Sequence, residues 1–555
     1  MKKLFFLFIS LIILCSTLTA QQKKPIILKK TDFTDTNQNE VPGAAVFIGN
    51  VEVEHDGARI FANKIYFFEK ENYVKLFGNV RMIQGDTITM NSEYAEYNGN
   101  KKFAYATGKV NMSSPDMRLV TDTVYFDRNV QQAYYNSNGT IYSGENTLKS
   151  KSGRFYIQQK KYEFRTNVTL TNPKYVLKSN HLDYYTNSGH AYVFGPSTIT
   201  SKENYIYTEK GFYDTKKNFA HLLTNSYIKY DTQIIRADSI YYDRTKDFSS
   251  LTRNVKVTDT VNKFLLKGHY GEVFKKKDSL FMEKRALAIT LVEKDSLYTH
   301  AKRLVVTGKE GQRIIRGYNN ARFYKIDMNG KCDSIHSDEA KGLTQLIGRP
   351  VIWHGESQIT GDIIHLISNN KTQQLDSLKV LNNAFIIQKD TIGAKKDSIN
   401  LKFNQVKGVN LYGKFKDNKL YQVDLIKNTE KIYFMYDDDD ELVGIDKGVS
   451  SKITIEMEDN QIQTITSYTN PESQSYPDAE FPENVRKLRG FIWRGDERIK
   501  SKEDIFPPEE QEIHEQMVKE TEADKKVEEK PMEPLKETLD YDKNHPKPKP
   551  PVTKE

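Results

Sequence analysis

A chain of 555 residues with 37% hydrophobic and 28% charged residues is too polar to surround one compact core, and it suits an extended sheet protein with one face in water. The net charge of +8 is modest at this length and describes a weakly basic, solvated surface compatible with anionic headgroups. Two cysteines exclude a disulfide framework, while 33 Tyr and 28 Phe against 2 Trp are a strand-friendly aromatic set.

The first twenty residues have the parts of a secretory signal: Lys2 and Lys3, an apolar run from Leu4 to Leu14, and a small residue for cleavage after Ala20. That run is shorter than the roughly 20 residues a spanning helix needs. Leu14 is larger than the residue a lipoprotein signal places before its cysteine, which argues against lipidation of Cys15. Residues 1–20 therefore read as a cleaved signal peptide and 21–40 as a linker. Cleavage leaves Cys332 alone, so the exported chain must be held together by packing.

A repeat organises residues 41–260. The phrase small-x-x-apolar-x-aromatic runs from Ala62 to Phe67, Ser92 to Tyr97, Thr121 to Phe126, Ser179 to Tyr184, Thr208 to Tyr213 and Ala237 to Tyr242. Its aromatics recur about every 29 residues, with Tyr156 assigned to the place between Phe126 and Tyr184. Phe274 and Val305 continue the series more loosely into a degenerate continuation over 261–400. A second phrase lies between the aromatics and reads as a turn followed by an apolar residue: Gly78-Asn79-Val80, Gly108-Lys109-Val110, Gly139-Thr140-Ile141, Thr166-Asn167-Val168 and Arg253-Asn254-Val255. Ile60, Met90, Leu119, Leu177, Ile206 and Ile235 precede the small residue by two, which places them on its face of a strand. Each unit reads as short strands separated by turns. One unit cannot bury its apolar stripe alone, so neighbours must stack.

The phrases Ala237-Asp238-Ser239-Ile240-Tyr241-Tyr242-Asp243 and Gly78-Asn79-Val80, with the same pairing at Thr121 to Asp127, resemble those of the OstA/LptA-like proteins of lipopolysaccharide export. The resemblance is clearest from Val46 to Val257 and fades by Leu401. It implies an all-β fold, an elongated β-jellyroll or open folded antiparallel sheet whose units stack, with an apolar interior that shelters acyl chains in the periplasm. The array is longer than the single domain of a minimal bridge protein, and it lacks the long strands of the family's outer-membrane barrel. Bridge and accessory roles both stay open.

Beyond residue 401 the register changes, and turns at Asp417-Asn418 and Asp459-Asn460 flank alternating apolar residues. Residues 401–470 read as a β cap or small β domain. Residues 471–506 form a basic extended segment carrying Trp493, able to dock on a partner or fold back across the cap. From 507 to 555 Glu, Lys and Pro dominate, a composition that does not offset ordering entropy, apart from a short helix near Glu509 to Thr521.

No local motif supports catalysis. Asp437 to Asp440 with Glu441 lacks the spacing of a calcium loop and reads as a solvated turn. The histidines, His354 among them, form no metal-binding set; no Gly-x-Ser-x-Gly elbow or phosphate-cradling loop is present. The expectation is a non-enzyme with no cofactor, no metal and no nucleic-acid partner. The residues that carry function are the recurring stripe: Ile65, Phe67, Val80, Met82, Tyr97, Val110, Met112, Phe126, Val168, Tyr184, Tyr213, Ile240, Tyr242 and Val255. From the residues alone this stripe is either a sealed core or a lipid-accessible groove; the resemblance implies the groove. It implies as partners lipopolysaccharide or a related lipid and other components of its export, in the periplasm and towards the outer membrane. Open strand edges favour head-to-tail self-association unless capped. The alternative is an exported adhesion scaffold that binds protein or glycan on its outer face, and an enzyme with an acid pair hidden in the repeats comes third.

Overall fold

Side-chain alternation with a period of two demands strands, and a computed structural model shows them almost throughout, paired antiparallel. It describes residues 26–35 and 41–519 except 56, 85–87, 116, 262, 293–294, 310, 370–371, 373, 397–401, 418, 459–460, 513 and 517–518. The expected signal peptide and the tail beyond 519 lie outside the described residues. The chain divides into two units, Met1–Leu280 and Phe281–Glu555.

The strands differ from the expected short segments. Ala58–Phe68, Tyr73–Gln84, Ile88–Asn98 and Phe103–Ser113 have 11 or 12 residues each, so one repeat is an up-and-down pair with its two connections. Gly78-Asn79-Val80 does not separate strands; it lies inside Tyr73–Gln84. Gly78 and Asn79 are both left-handed, with φ of 68° and 47°. The ladder slips there against both neighbours, between Phe61 and Lys64 on one side and between Phe77 and Val80 on the other. This is a β-bulge, which bends its strand and increases twist. The same left-handed pair recurs at Gly108-Lys109, Thr166-Asn167 and Arg253-Asn254, and in the second unit at Asn319-Asn320, Asn382-Asn383 and Lys427-Asn428.

The neighbouring strands record the corner as a phase slip. Ile60, Ala62, Ile65 and Phe67 share one face, yet the step from Ala62 to Ile65 is three rather than two. The small residue of the phrase therefore sits at the bend, where the slipped ladder leaves carbonyls to be satisfied. Where that residue is Ser or Thr, its hydroxyl does this: Ser179 Oγ donates to His181 O at 2.9 Å, and Thr208 Oγ1 lies 2.8 Å from the carbonyl of Lys210 and 3.0 Å from that of Leu223. Thr429 repeats the device in the second unit, 2.7 Å from Ser450 O.

Bent strands fold the sheet within each unit into two walls. We call wall A the half beyond the corner that carries the phrase aromatics, and wall B the other half. In a flat sheet the rows of His55 and Tyr97 would lie roughly 30 Å apart, nine residues at ~3.3 Å each. Their rings are instead 5.5 Å apart. Likewise the Tyr162 hydroxyl on wall A donates to Met117 Sδ at the rim of wall B, at 2.9 Å. The walls face each other across a seam closed by side chains.

In the second unit the wall A row nearest the corner is Leu304, Gly317, Ile335, Leu346, Ile364, Val380, Leu411, Leu425 and Ile453, matched strand to strand. Its apolar side chains are all buried. Residues 478–506 fold back as a strap over the outer face of wall B. Phe481 and Leu488 pack with Phe385, Ile387, Ile432, Phe434 and Ile445 in one cluster. Two buried glutamines hold the strap by its backbone. Gln405 donates to Arg486 O at 2.8 Å and accepts from Leu488 N at 2.9 Å; Gln358 donates to Ile492 O at 2.8 Å and accepts from Arg494 N at 2.7 Å. Of the two dispositions open to this basic segment, the structure takes the fold-back.

Candidate functional site

The register places the phrase aromatics in one row along wall A. Phe67, Val74, Tyr97, Ala104, Phe126 and Ala133 are successive cross-strand partners. Phe155, Tyr162, Tyr184, Ala191, Tyr213, Ala220, Tyr242 and Ser249 continue the row. Rings thus alternate with small residues along most of it. Cross-strand neighbours stand about 5 Å apart, less than a ring's width, so a small residue between two rings gives each room.

Three assignments shift by one residue. Phe155, not Tyr156, occupies the row; Tyr156 points to the outer face, where its hydroxyl donates to Glu163 Oε2 at 3.0 Å. Val273, not Phe274, is opposite Ser249, and Phe274 packs on Phe248 with centroids 5.2 Å apart. Val305 lies between the buried Leu304 and Val306 and faces the other way. A strand rich in aromatics on both faces does not reveal which ring is inside; pairing does. Tyr162 was missed because it lies outside the phrase, and counting register from Phe155 finds it.

The fourteen stripe residues separate into two sets by depth. Ile65, Val80, Val110, Val168, Ile240 and Val255 lie at or beside the corner and are at most 2% exposed. Phe67, Met82, Tyr97, Met112, Phe126, Tyr184, Tyr213 and Tyr242 lie further from it and are partly exposed. Opposite the ring row, wall B presents Ile60, Met82, Met90, Met112 and Leu119 in register. The methionines are unbranched and adapt to irregular partners. The arrangement offers a largely apolar surface of rings, gaps and flexible thioethers.

Titratable groups gather on the outer face of wall A. Glu163, His181 and Asp183 bring ligand-type atoms within 4.8 Å of one another. Lys161 Nζ lies 2.7 Å from Asp183 and 3.4 Å from Glu163, and Arg165 Nε is 2.6 Å from Glu163. Burial opposes ionisation of both acids, but His181 and Lys161 hold Asp183 below the usual carboxylate range, and Arg165 and Lys161 do the same for Glu163. The cluster is an ion-pair network already supplied with its cations. Asp437 to Glu441 form a turn in which Asp437 Oδ1 accepts from Glu441 N at 2.8 Å and Asp439 N at 3.1 Å. His354 faces the seam, its ring 6.0 Å from Phe415. No described helix is long and apolar enough to cross a membrane.

Residues 23–180 match the family model described as OstA-like protein. No curated protein matches the chain. Among solved structures it is similar to LptH, the LptA homologous periplasmic component of the lipopolysaccharide transport device of Pseudomonas aeruginosa. Identity is 12% over 19% of this chain and 81% of that one, with a TM-score of 0.18. The amino-terminal part of this all-β chain, residues 23–180, is an OstA-like domain.

Proposed function

We propose that the chain is a non-enzymatic periplasmic scaffold that shelters lipopolysaccharide acyl chains during export to the outer membrane, as a bridge or accessory component. The observation that carries this reading is the split in the stripe. The corner residues build the fold, while Phe67, Tyr97, Phe126, Tyr184, Tyr213 and Tyr242 with Met82 and Met112 remain partly exposed along the seam. An acyl chain lying there gains about 0.8 kcal/mol per buried methylene. Because, among the described residues, side chains rather than a backbone ladder bridge the seam, an opening between them leaves a sugar headgroup in water. The match to the OstA-like family model and the phrases resembling those of lipopolysaccharide-export proteins support lipopolysaccharide as the lipid.

Photocrosslinking amino acids at Phe67 and Tyr242 test the reading in living cells, with Val110 as the buried control. Lipopolysaccharide adducts at the first two and none at Val110 are expected. Absence of adducts at both Phe67 and Tyr242 overturns it.

One observation favours the adhesion reading. The outer face of wall A carries a run of rings, Tyr66, Phe77, Tyr94, Tyr105, Tyr125 and Tyr134, with neighbouring centroids 4.9 to 6.1 Å apart. Cleavage of the chain by protease added to intact cells distinguishes it, since a periplasmic scaffold is protected.

A further inference from the structure

Five neighbouring strands of the first unit are Asn204–Asp214, Phe219–Tyr230, Gln233–Asp243, Phe248–Asp259 and Phe264–Phe274. Their wall B halves turn Ile206, Ile228, Ile235, Val257 and Leu266 into the seam in one row. A strand's period of two therefore places the residues on either side of these on the outer face. One outer row reads Tyr207, Tyr227, Arg236, Lys256 and Lys267 in register, and the next reads Tyr205, Lys229, Ile234, Thr258 and Leu265. Neither row contains a carboxylate. Lys229, Arg236, Lys256 and Lys267 are exposed, and among the described residues none of the four forms an ion pair. Two of them lie against rings: Lys229 Nζ is 5.6 Å from the Tyr205 centroid and 5.7 Å from that of Tyr227, and the Arg236 guanidinium is 5.1 Å from Tyr227.

The borders of this patch do not share its excess of positive charge. The corner carries Lys210 and Arg253 against Glu209 and Asp238, and the rim turns carry Lys202 and Lys263 against Glu203 and Asp231. On the outer face of wall A the same strands present Phe212, His221, Tyr241, Ser250 and Glu272, without Lys or Arg. Strands ~4.8 Å apart make the patch about 20 Å across.

We propose that this patch docks the protein on the headgroup surface of an anionic phospholipid bilayer. It is the outer face of a sheet rather than a groove, so it fits a planar partner. Its four uncompensated cations select negative charge, and tyrosines beside Ile234 and Leu265 are the mixture that settles at headgroup level. Each Lys or Arg near such a surface adds about fivefold to partition, so four add several hundredfold over a neutral bilayer. Docking by the outer face leaves the inner face of wall B and the ring row free. The inference does not depend on the acyl-sheltering reading.

The test is co-sedimentation with vesicles of phosphatidylglycerol and phosphatidylcholine, free of lipopolysaccharide, against phosphatidylcholine alone. The chain is expressed from Gln21, so that the apolar run Leu4 to Leu14 adds no lipid affinity. Phosphatidylglycerol should strengthen binding by about a hundredfold or more, and salt at about 0.5 M should remove most of that gain. Arg236→Gln combined with Lys256→Gln should weaken it by about 25-fold. Lys70→Gln combined with Lys101→Gln, the same change of charge in exposed wall A turns, should weaken it far less. Unchanged thermal midpoints show that both variants fold. Equal binding to the two kinds of vesicle, or equal loss in the two variants, overturns the proposal. Binding of polyglutamate that needs Arg236 and Lys256, without binding to vesicles, makes the patch a dock for acidic protein and overturns the bilayer. The crosslinks at Phe67 and Tyr242 read the acyl proposal separately, so either can fail alone.

Discussion

The ring row of Met1–Leu280 and its counterpart in Phe281–Glu555 stand at the same distance from their corners, yet they end in different environments. In the first unit rings alternate with Ala and Ser, and most of the row is partly exposed. In the second unit the row reads Val306, Ile315, Ser337, Thr344, Leu366, Leu378, Gly413, Val423 and Ile455, with no ring in it. Ile315, Ser337, Thr344 and Leu366 are partly exposed, but from Leu378 onward the row is buried, Leu378, Val423 and Ile455 being at most 2% exposed. The second unit's row carries mainly aliphatic side chains, whereas the first unit's rings keep part of their surface in contact with solvent.

Wall B differs in the same sense. In the second unit its inner row changes from Ile386 and Val406 to Lys431, which pairs with Asp446. Its apolar side chains Ile387, Ile432 and Phe434 face outward under the strap. One corner geometry thus serves a partly exposed ring row in one unit and, from Leu378 onward, a buried, strapped core in the other. The proposed acyl contact is therefore expected in the first unit.

The contrast is broken most directly by truncation. Leu411→Ala removes a fully buried side chain from the second unit's row and should cost about 3–5 kcal/mol. Tyr213→Ala, at a partly exposed site, should cost about 1–2 kcal/mol, less than half as much. Hydrogen exchange resolved by peptide reads each unit separately; equal losses would mean that the two rows are equally sealed.

Acid should act next. His300 is buried beneath the strap's end, its ring 5.1 Å from Phe506 and its Nδ1 2.7 Å from Ala286 O. Desolvation pushes it down to about 4, helped by Arg322 and Arg285. A depressed histidine favours its neutral form, so its contribution is full above ~6.5 and is lost as pH falls towards 4, about 3 kcal/mol at most. Glu510, raised by burial, contributes in the opposite sense and offsets part of this. Exchange protection of residues 503–512 should fall over that window, and His300→Phe should flatten the response. An unchanged slope in that variant would place the titration elsewhere.

The smallest effect concerns the strap's anchor. Gln358→Leu leaves Ile492 O and Arg494 N without their partner and should cost about 2 kcal/mol. Trp353 and Trp493 are the chain's only tryptophans, so their fluorescence should shift to the red if the strap loosens. No change in emission or midpoint would show that apolar packing alone holds it.

Much of this was legible in the residues. Alternation and the recurrence of Phe67, Tyr97, Phe126, Tyr184, Tyr213 and Tyr242 identified strands and one shared face. What misled was the left-handed pair at Gly78-Asn79, because glycine and asparagine favour turns and bulges alike, and only the partner strand distinguishes them. The phase slip from Ala62 to Ile65 carried that information, since a step of three breaks a strand's period unless the strand bends. The meeting of Lys275 with Glu203 and the Tyr230 ring was not legible, because these residues come from strand ends and connections far apart in sequence.

The sequence by itself determined the strand class, the period of about 29 residues and the chemistry of the inner face, because these follow from local alternation. Only the tertiary structure decided that Phe155 rather than Tyr156 lies in the row, that the corner residues seal while the rings stay partly exposed, and that Lys275 meets Glu203 across the seam. Those outcomes depend on register and on two walls folding together, and neither is encoded in any single strand.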